Sequence, residues 1–165
     1  MRGFLCPFVM LEQLLTSWQI NNRNNLLLIR QSDTLLQSRL SARGRTVGEQ
    51  LAHMHNNRIV WLEFVAKKRY QKTDLLEKNA PLTSSLLNEA FSKSFEIISQ
   101  VIRDSWEGGG KLPGFKTGLL PFVAYLISHE SHHRGNILLT WKQTGAKLPD
   151  TLKWELWDWQ NPGMH

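Results

Sequence analysis

The sequence predicts an all-α protein, a four-helix bundle with long connections. Four segments repeat apolar residues at helical spacing. The stretches between them run for about 10–16 residues and collect turn-forming and polar side chains. No segment reads convincingly as a strand. Amphipathic helices bury their apolar stripes against one another, and a bundle is the simplest arrangement that does so. At 165 residues the chain can bury a sizeable core and is read as one domain, 1–165.

The first helix is expected from about Pro7 to Ile29, with Met10, Leu14 and Trp18 setting its period. Asn21, Asn22, Asn24 and Asn25 are poor helix formers, and this half is read as a solvated face, with a bend or a polar cavity as the alternative. Asp33 caps a short turn through Leu36. Thr46 and Glu49, three residues apart, form a capping box that opens a second helix reaching about Tyr70. This helix is apolar nearly all round, as expected where a helix is covered on two sides.

Lys72 to Leu82 is a polar connection. Thr83 or Ser84 caps a third helix that Leu87, Phe91, Ile98 and Ile102 carry to about Trp106, before Gly108, Gly109 and Gly110 stop it. A loop from Lys111 to Gly118 follows. The fourth helix runs from Leu119, with Pro121 tolerated in its first turn, to Gly145, a natural left-handed stop. The tail carries Trp154, Trp157 and Trp159 and is expected to pack across the bundle.

A net charge of +6 raises the question of a nucleic-acid partner. Arg39, Arg43 and Arg45 cluster in one connection, and Lys67, Lys68, Arg69 and Lys72 at one helix end. Neither run is interleaved with aromatics, and cations at a helix C-terminus favour its dipole, so nucleic-acid binding is not expected. The single cysteine, Cys6, forms no internal disulfide and suits a reducing compartment. The apolar start is interrupted by Glu12 and Gln13, unlike a signal peptide. No segment is long and apolar enough to span a membrane. A cytoplasmic protein is expected.

Chemistry concentrates in His129-Glu130-Ser131-His132-His133-Arg134-Gly135, which holds three of the six histidines. On a helix, His129 and His133 lie one turn apart on one face and can grip a divalent metal. Phe122, Leu126, Ile137 and Thr140 fall on or near this stripe, so it faces a core, where bare imidazoles need partners. His132 and Glu130 are turned to either side by about 80° at 100° per residue. A facing helix must supply further ligands. His53 and His55 are the candidates, roughly 200° apart around the second helix. Both faces are apolar, so periodicity does not choose between them.

These residues, with Thr46-Val47-Gly48-Glu49-Gln50-Leu51-Ala52-His53 upstream, resemble the DinB/YfiT-like superfamily of metal-binding four-helix bundles. Asn25-Leu26-Leu27-Leu28, the Pro113 to Leu120 loop, Leu148-Pro149-Asp150 and Leu156-Trp157-Asp158-Trp159 sit where that family has similar stretches. The resemblance implies a three-histidine site formed by His53, His129 and His133, with His132 in the position of a non-ligand. It also implies a homodimer, and the two apolar faces of the second helix place the first and second helices near its interface.

Three neutral imidazoles leave a divalent metal, zinc or nickel by expectation, with uncompensated charge and an open position. Such a centre lowers the pKa of bound water or binds a thiolate or carboxylate. The resemblance therefore implies a metal-dependent enzyme acting on a small molecule, a hydrolase or a transferase using a thiol cofactor. A non-catalytic metal-binding or stress-response module is the alternative. Glu130 and His132 are the catalytic candidates, for ligand support or proton transfer, against a reading in which both are surface residues. Arg134 is expected to pair with a carboxylate. The same stretch spells the zinc-protease pattern H-E-x-x-H, with Glu155 downstream at a distance where a third ligand can occur. The strand-rich lobe and third histidine of such proteases are missing.

Overall fold

The computed structural model describes residues 7–66, 75–78 and 80–161. Four long helices, α1 (Pro7–Gln31), α2 (Val47–Val65), α3 (Ser84–Glu107) and α4 (Leu119–Gln143), form the bundle, and a short α5 (Asp150–Glu155) lies in the tail. A one-turn 3-10 helix, Asp33–Leu35, follows α1, where the sequence places a short turn. No strand forms among the described residues beyond an isolated antiparallel bridge between Arg39 and Thr46. The expected end of the second helix beyond Ala66, its lysine cluster, and His165 lie outside the described residues.

Both α1 and α2 pack chiefly against α3 and α4, so α1 and α2 occupy opposite corners. The capping box forms as expected. The Thr46 hydroxyl accepts from the Glu49 amide at 3.1 Å, and the Glu49 carboxylate accepts from the Thr46 amide at 2.6 Å. Thr83 caps α3 through the Leu86 amide. After α4, Gly145 takes a positive φ of 77°, which costs a glycine no strain.

The core has two main apolar parts. One collects Leu15, Trp18, Leu62, Ile98, Phe122 and Leu126, and the other Ile29, Leu51, Met54, Leu87, Phe91 and Ile137. A buried polar layer meets both parts. The guanidinium of Arg58 lies 4.6 Å from the centroids of Trp18, in the first part, and Phe91, in the second.

One expectation needs correction. The asparagine-rich half of α1 is not a solvated face. Asn21, Asn22, Asn24 and Asn25 are all buried, and the helix runs straight through them. Their weak helix propensity is offset by side-chain hydrogen bonds to other elements. The tail does pack across the bundle, but through Leu148 and Leu152, which join Leu27, Leu28, Leu35 and Trp141. Trp154 and Trp157 are about four-fifths exposed. Arg23 fastens the end of the tail by donating to the carbonyls of Glu155 and Asn161 at 3.1 and 2.9 Å, and Asn24 donates to that of Leu156. Unpaired carbonyls at a helix end attract such donors.

Candidate metal centre

His53 on α2 and His129 and His133 on α4 converge. Their ring centroids are 4.8–5.2 Å apart. One ligand nitrogen from each lies within 4.8 Å of the other two. Around a tetrahedral ion with nitrogens at about 2.1 Å, ligand atoms lie about 3.4 Å apart, so small side-chain rotations close the set. The Nδ1 atoms of His129 and His133 are buried with no hydrogen-bond partner. A buried polar atom without a partner is costly, and the convergence of one nitrogen from each ring offers a cation three ligands. Among the described residues, no acidic or cysteine side chain joins the group as a fourth ligand.

The capping box fixes the start of α2 and therefore where His53 stands. His55, two residues on, is turned to the other side and buried against Phe91, with centroids 6.0 Å apart. This geometry separates the two histidines that periodicity leaves undecided.

All three triad histidines are pushed below the usual imidazole pKa. Desolvation is the main cause for each. Arg45 and the neighbouring imidazoles push the same way, while Glu130 opposes the shift at His129. His133 is lowered to about 4. The rings are thus neutral near pH 7, the state in which imidazole ligates metal.

The flanks of the pair differ as the helical angles predict. His132 is exposed and meets Asn136 at 3.2 Å. Glu130 is not a surface residue. It is fully buried and paired with Arg58, whose Nε donates to Oε1 at 2.6 Å and Nη2 to Oε2 at 2.9 Å. Asn21 and Asn25 each donate to Oε2 at 2.6 Å. Burial raises the pKa of this carboxyl, but Arg58 and the asparagines outweigh it and hold it below the usual range. Both oxygens are engaged and the residue has no exposed surface, so Glu130 has no free oxygen to act as the base of a zinc protease. Glu155, the other residue of that reading, lies on α5 and is not part of the converging group.

Arg134 does not pair directly with a carboxylate. Its Nη1 donates to the side-chain oxygens of Asn21 and Asn25 at 2.8 and 2.7 Å, and Nη2 to Ser131 at 2.7 Å. The two amides thus relay between the Glu130 carboxylate and the Arg134 guanidinium, and the charges fix which amide atom faces which. Arg58 completes the layer by donating to Asn22, Ser94 and the Phe91 carbonyl. Sequence reasoning missed Arg58, although a signal exists. It shares a stripe with Leu51, Met54, Leu62 and Val65, all buried, and a charge in such a stripe needs a partner.

Beyond the triad lies an aromatic wall. Tyr125, one turn before His129, stacks near it with centroids 6.1 Å apart. Trp61, Phe115 and Tyr125 are mutual neighbours at 5.2–6.1 Å. Gly114 brings Phe115 there. A side chain at 114 would lie 2.9 Å from the Phe64 carbonyl, so only glycine lets the loop approach so closely. A separate cavity of about 590 Å³ lies near the ends of α2 and α3, lined by Val65, Val101, Leu112 and Pro113 among others. Its lining includes Asp104 and Lys111 but no histidine, so its volume does not outweigh the chemistry of the triad.

No curated protein and no solved structure matches the chain. A family model, described as DinB family, matches residues 8–164. With its helical bundle and its three converging histidines, the chain belongs to the DinB family.

Proposed function

We propose that the chain binds a divalent metal ion, zinc or nickel, through His53, His129 and His133 and is an enzyme acting on a small molecule, by hydrolysis or thiol-dependent transfer. The convergence of three neutral imidazoles, two with unpartnered buried nitrogens, carries this reading. When bound, the metal would activate a water or thiol at its open position. The protein holds the ligands neutral by desolvation and fixes the angle of α4 through the Glu130–Arg58 pair. His132, on the exposed flank with its ring 5.2 Å from that of His133, is the candidate for moving protons. Glu130 is a positioning residue.

Elemental analysis of protein purified without a metal-affinity tag should find close to one metal per chain. Thiol-transfer and esterase panels should then find an activity that a chelator removes. Metal bound tightly with no response to thiols, carboxylates or phosphate would make this a closed structural site.

The proposal includes a homodimer in a reducing cytoplasm. Val60 and Phe64 leave an exposed apolar edge on α2, which a second copy would cover. Light scattering at high micromolar concentration should give twice the chain mass, and a monomer there would sink this part of the reading.

A further inference from the structure

We propose that the aromatic wall beside the triad is a specificity subsite for a small aromatic carboxylate, with its acid group at the metal and its ring against Tyr125. The proposal rests on the open metal position argued above and names the class of ligand that position selects.

Spacing supports it first. Tyr125 lies 6.1 Å from His129 on one side and 5.5 Å from Trp61 on the other. Tyr125 thus joins the triad to the aromatic wall, and a ligand held at the triad lies beside its ring. Tyr125 is 36% exposed, so the wall is accessible rather than sealed in the core. Its members already meet edge to face, at interplanar angles of 72° and 75° for Trp61 with Phe115 and Tyr125. This is the geometry by which aromatic rings attract one another.

Charge supports the acid group. The metal would bring positive charge that three neutral ligands do not compensate. Asn57, one turn beyond His53, accepts a long hydrogen bond of 3.4 Å from the Tyr125 hydroxyl, while its own Nδ2 is buried without a partner. A buried amide donor without a partner leaves room for a hydrogen-bond acceptor beside Tyr125.

The experiment uses the cobalt-loaded full chain, titrated with benzoate, cyclohexanecarboxylate and acetate while the visible spectrum is followed. Benzoate should bind roughly tenfold tighter than acetate, as expected for one well-placed aromatic contact, and tighter than cyclohexanecarboxylate. Tyr125→Leu should bring benzoate to the level of acetate, both measured on the same variant. Tyr125→Phe should keep the preference. Equal binding of benzoate and acetate to the native protein, or a benzoate preference that survives Tyr125→Leu, would overturn the subsite while leaving the metal reading intact. The native comparison decides the matter even where the leucine variant fails to fold. A cobalt spectrum that responds to no carboxylate would remove the open position itself, and this proposal with it.

Discussion

His129 and Glu130 are adjacent in sequence and belong to opposite regimes. Glu130 faces the core with every charge answered. Arg58, Asn21 and Asn25 all donate to it, and Arg134 closes the layer from behind. His129, about 100° further round the helix, sits in a cluster whose buried nitrogens have no protein partner. Burial costs both groups solvation. The network recovers that cost within the protein, whereas the triad leaves it outstanding until something binds. A polar cluster that satisfies itself is a structural device, and one that does not is a place for a ligand.

The comparison breaks most visibly if one side of the network is removed. Glu130→Gln leaves the Arg58 guanidinium buried without a counter-charge. Cutting one partner from a buried ion pair typically costs about 3–5 kcal/mol. Chemical denaturation should show a loss of that size. Metal bound per folded molecule at saturation should stay near the native value, because the three ligands remain, while affinity should fall as α4 loses its tie to α2. A Glu130→Gln protein of native stability would mean that the pair does not hold the bundle together.

Replacing both partners sharpens the point. An Arg58→Met, Glu130→Leu double variant removes the two charges together, which in other proteins is often neutral. Here Asn21 and Asn25 would lose their acceptor, and unsatisfied buried groups cost about 1–3 kcal/mol each. The double variant should therefore regain only part of the loss seen in Glu130→Gln. Full recovery by the same denaturation measurement would show that the asparagines find other partners.

Much of this architecture was legible from residue spacing. The four helices, the Thr46–Glu49 box and the facing pair His129 and His133 depend on contacts within a few residues, which periodicity reads directly. The choice of His53 over His55 was not, because both faces of α2 are apolar. It came from the family resemblance, and the structure brings His53 to the pair. The Arg58–Glu130 layer was beyond reach for another reason. Its bonds join residues 72, 105 and 109 positions apart on three helices. Local propensity therefore put the asparagines of α1 in solvent, when their partners come from α2 and α4. The tail packs across the bundle as expected, through Leu148, Leu152 and Leu156, while Trp154 and Trp157 stay exposed.

Changes at the triad should have the reverse signature of Glu130→Gln. His53→Ala, His129→Ala or His133→Ala should each abolish tight metal binding. The metal-free proteins should keep their stability within about 1 kcal/mol, because each change also removes a poorly satisfied group. His55→Ala and His132→Ala should keep the native metal stoichiometry, although loss of the His55 contact with Phe91 should lower stability. Metal content by elemental analysis checks all five. Retention in His53→Ala with loss in His55→Ala would mean that the other face of α2 meets the metal.

The gentlest perturbation is pH, which weakens both clusters on acidification but in different windows. The triad histidines are depressed below the ordinary imidazole value of 6.5, and His133 reaches about 4. Between those limits the unfolded chain binds more protons than the folded one, so stability falls as pH falls. The histidine contribution of the metal-free protein is therefore fully present above pH 6.5. It is lost progressively toward pH 4 as the folded rings resist protonation and the unfolded ones do not. Glu130 is depressed from the carboxylate value of 4.5, so its contribution is fully present above that value and is lost as pH falls below it. Proton competition for the metal is delayed likewise, and binding should persist below the pH near 6 at which free imidazoles protonate. Denaturation midpoints of native and His133→Ala protein, both metal-free, should run parallel above pH 6.5 and separate as pH falls toward 4, the native protein losing more. Parallel curves across the whole range would show that His133 titrates like a free imidazole, and that the site is wetter than its geometry indicates.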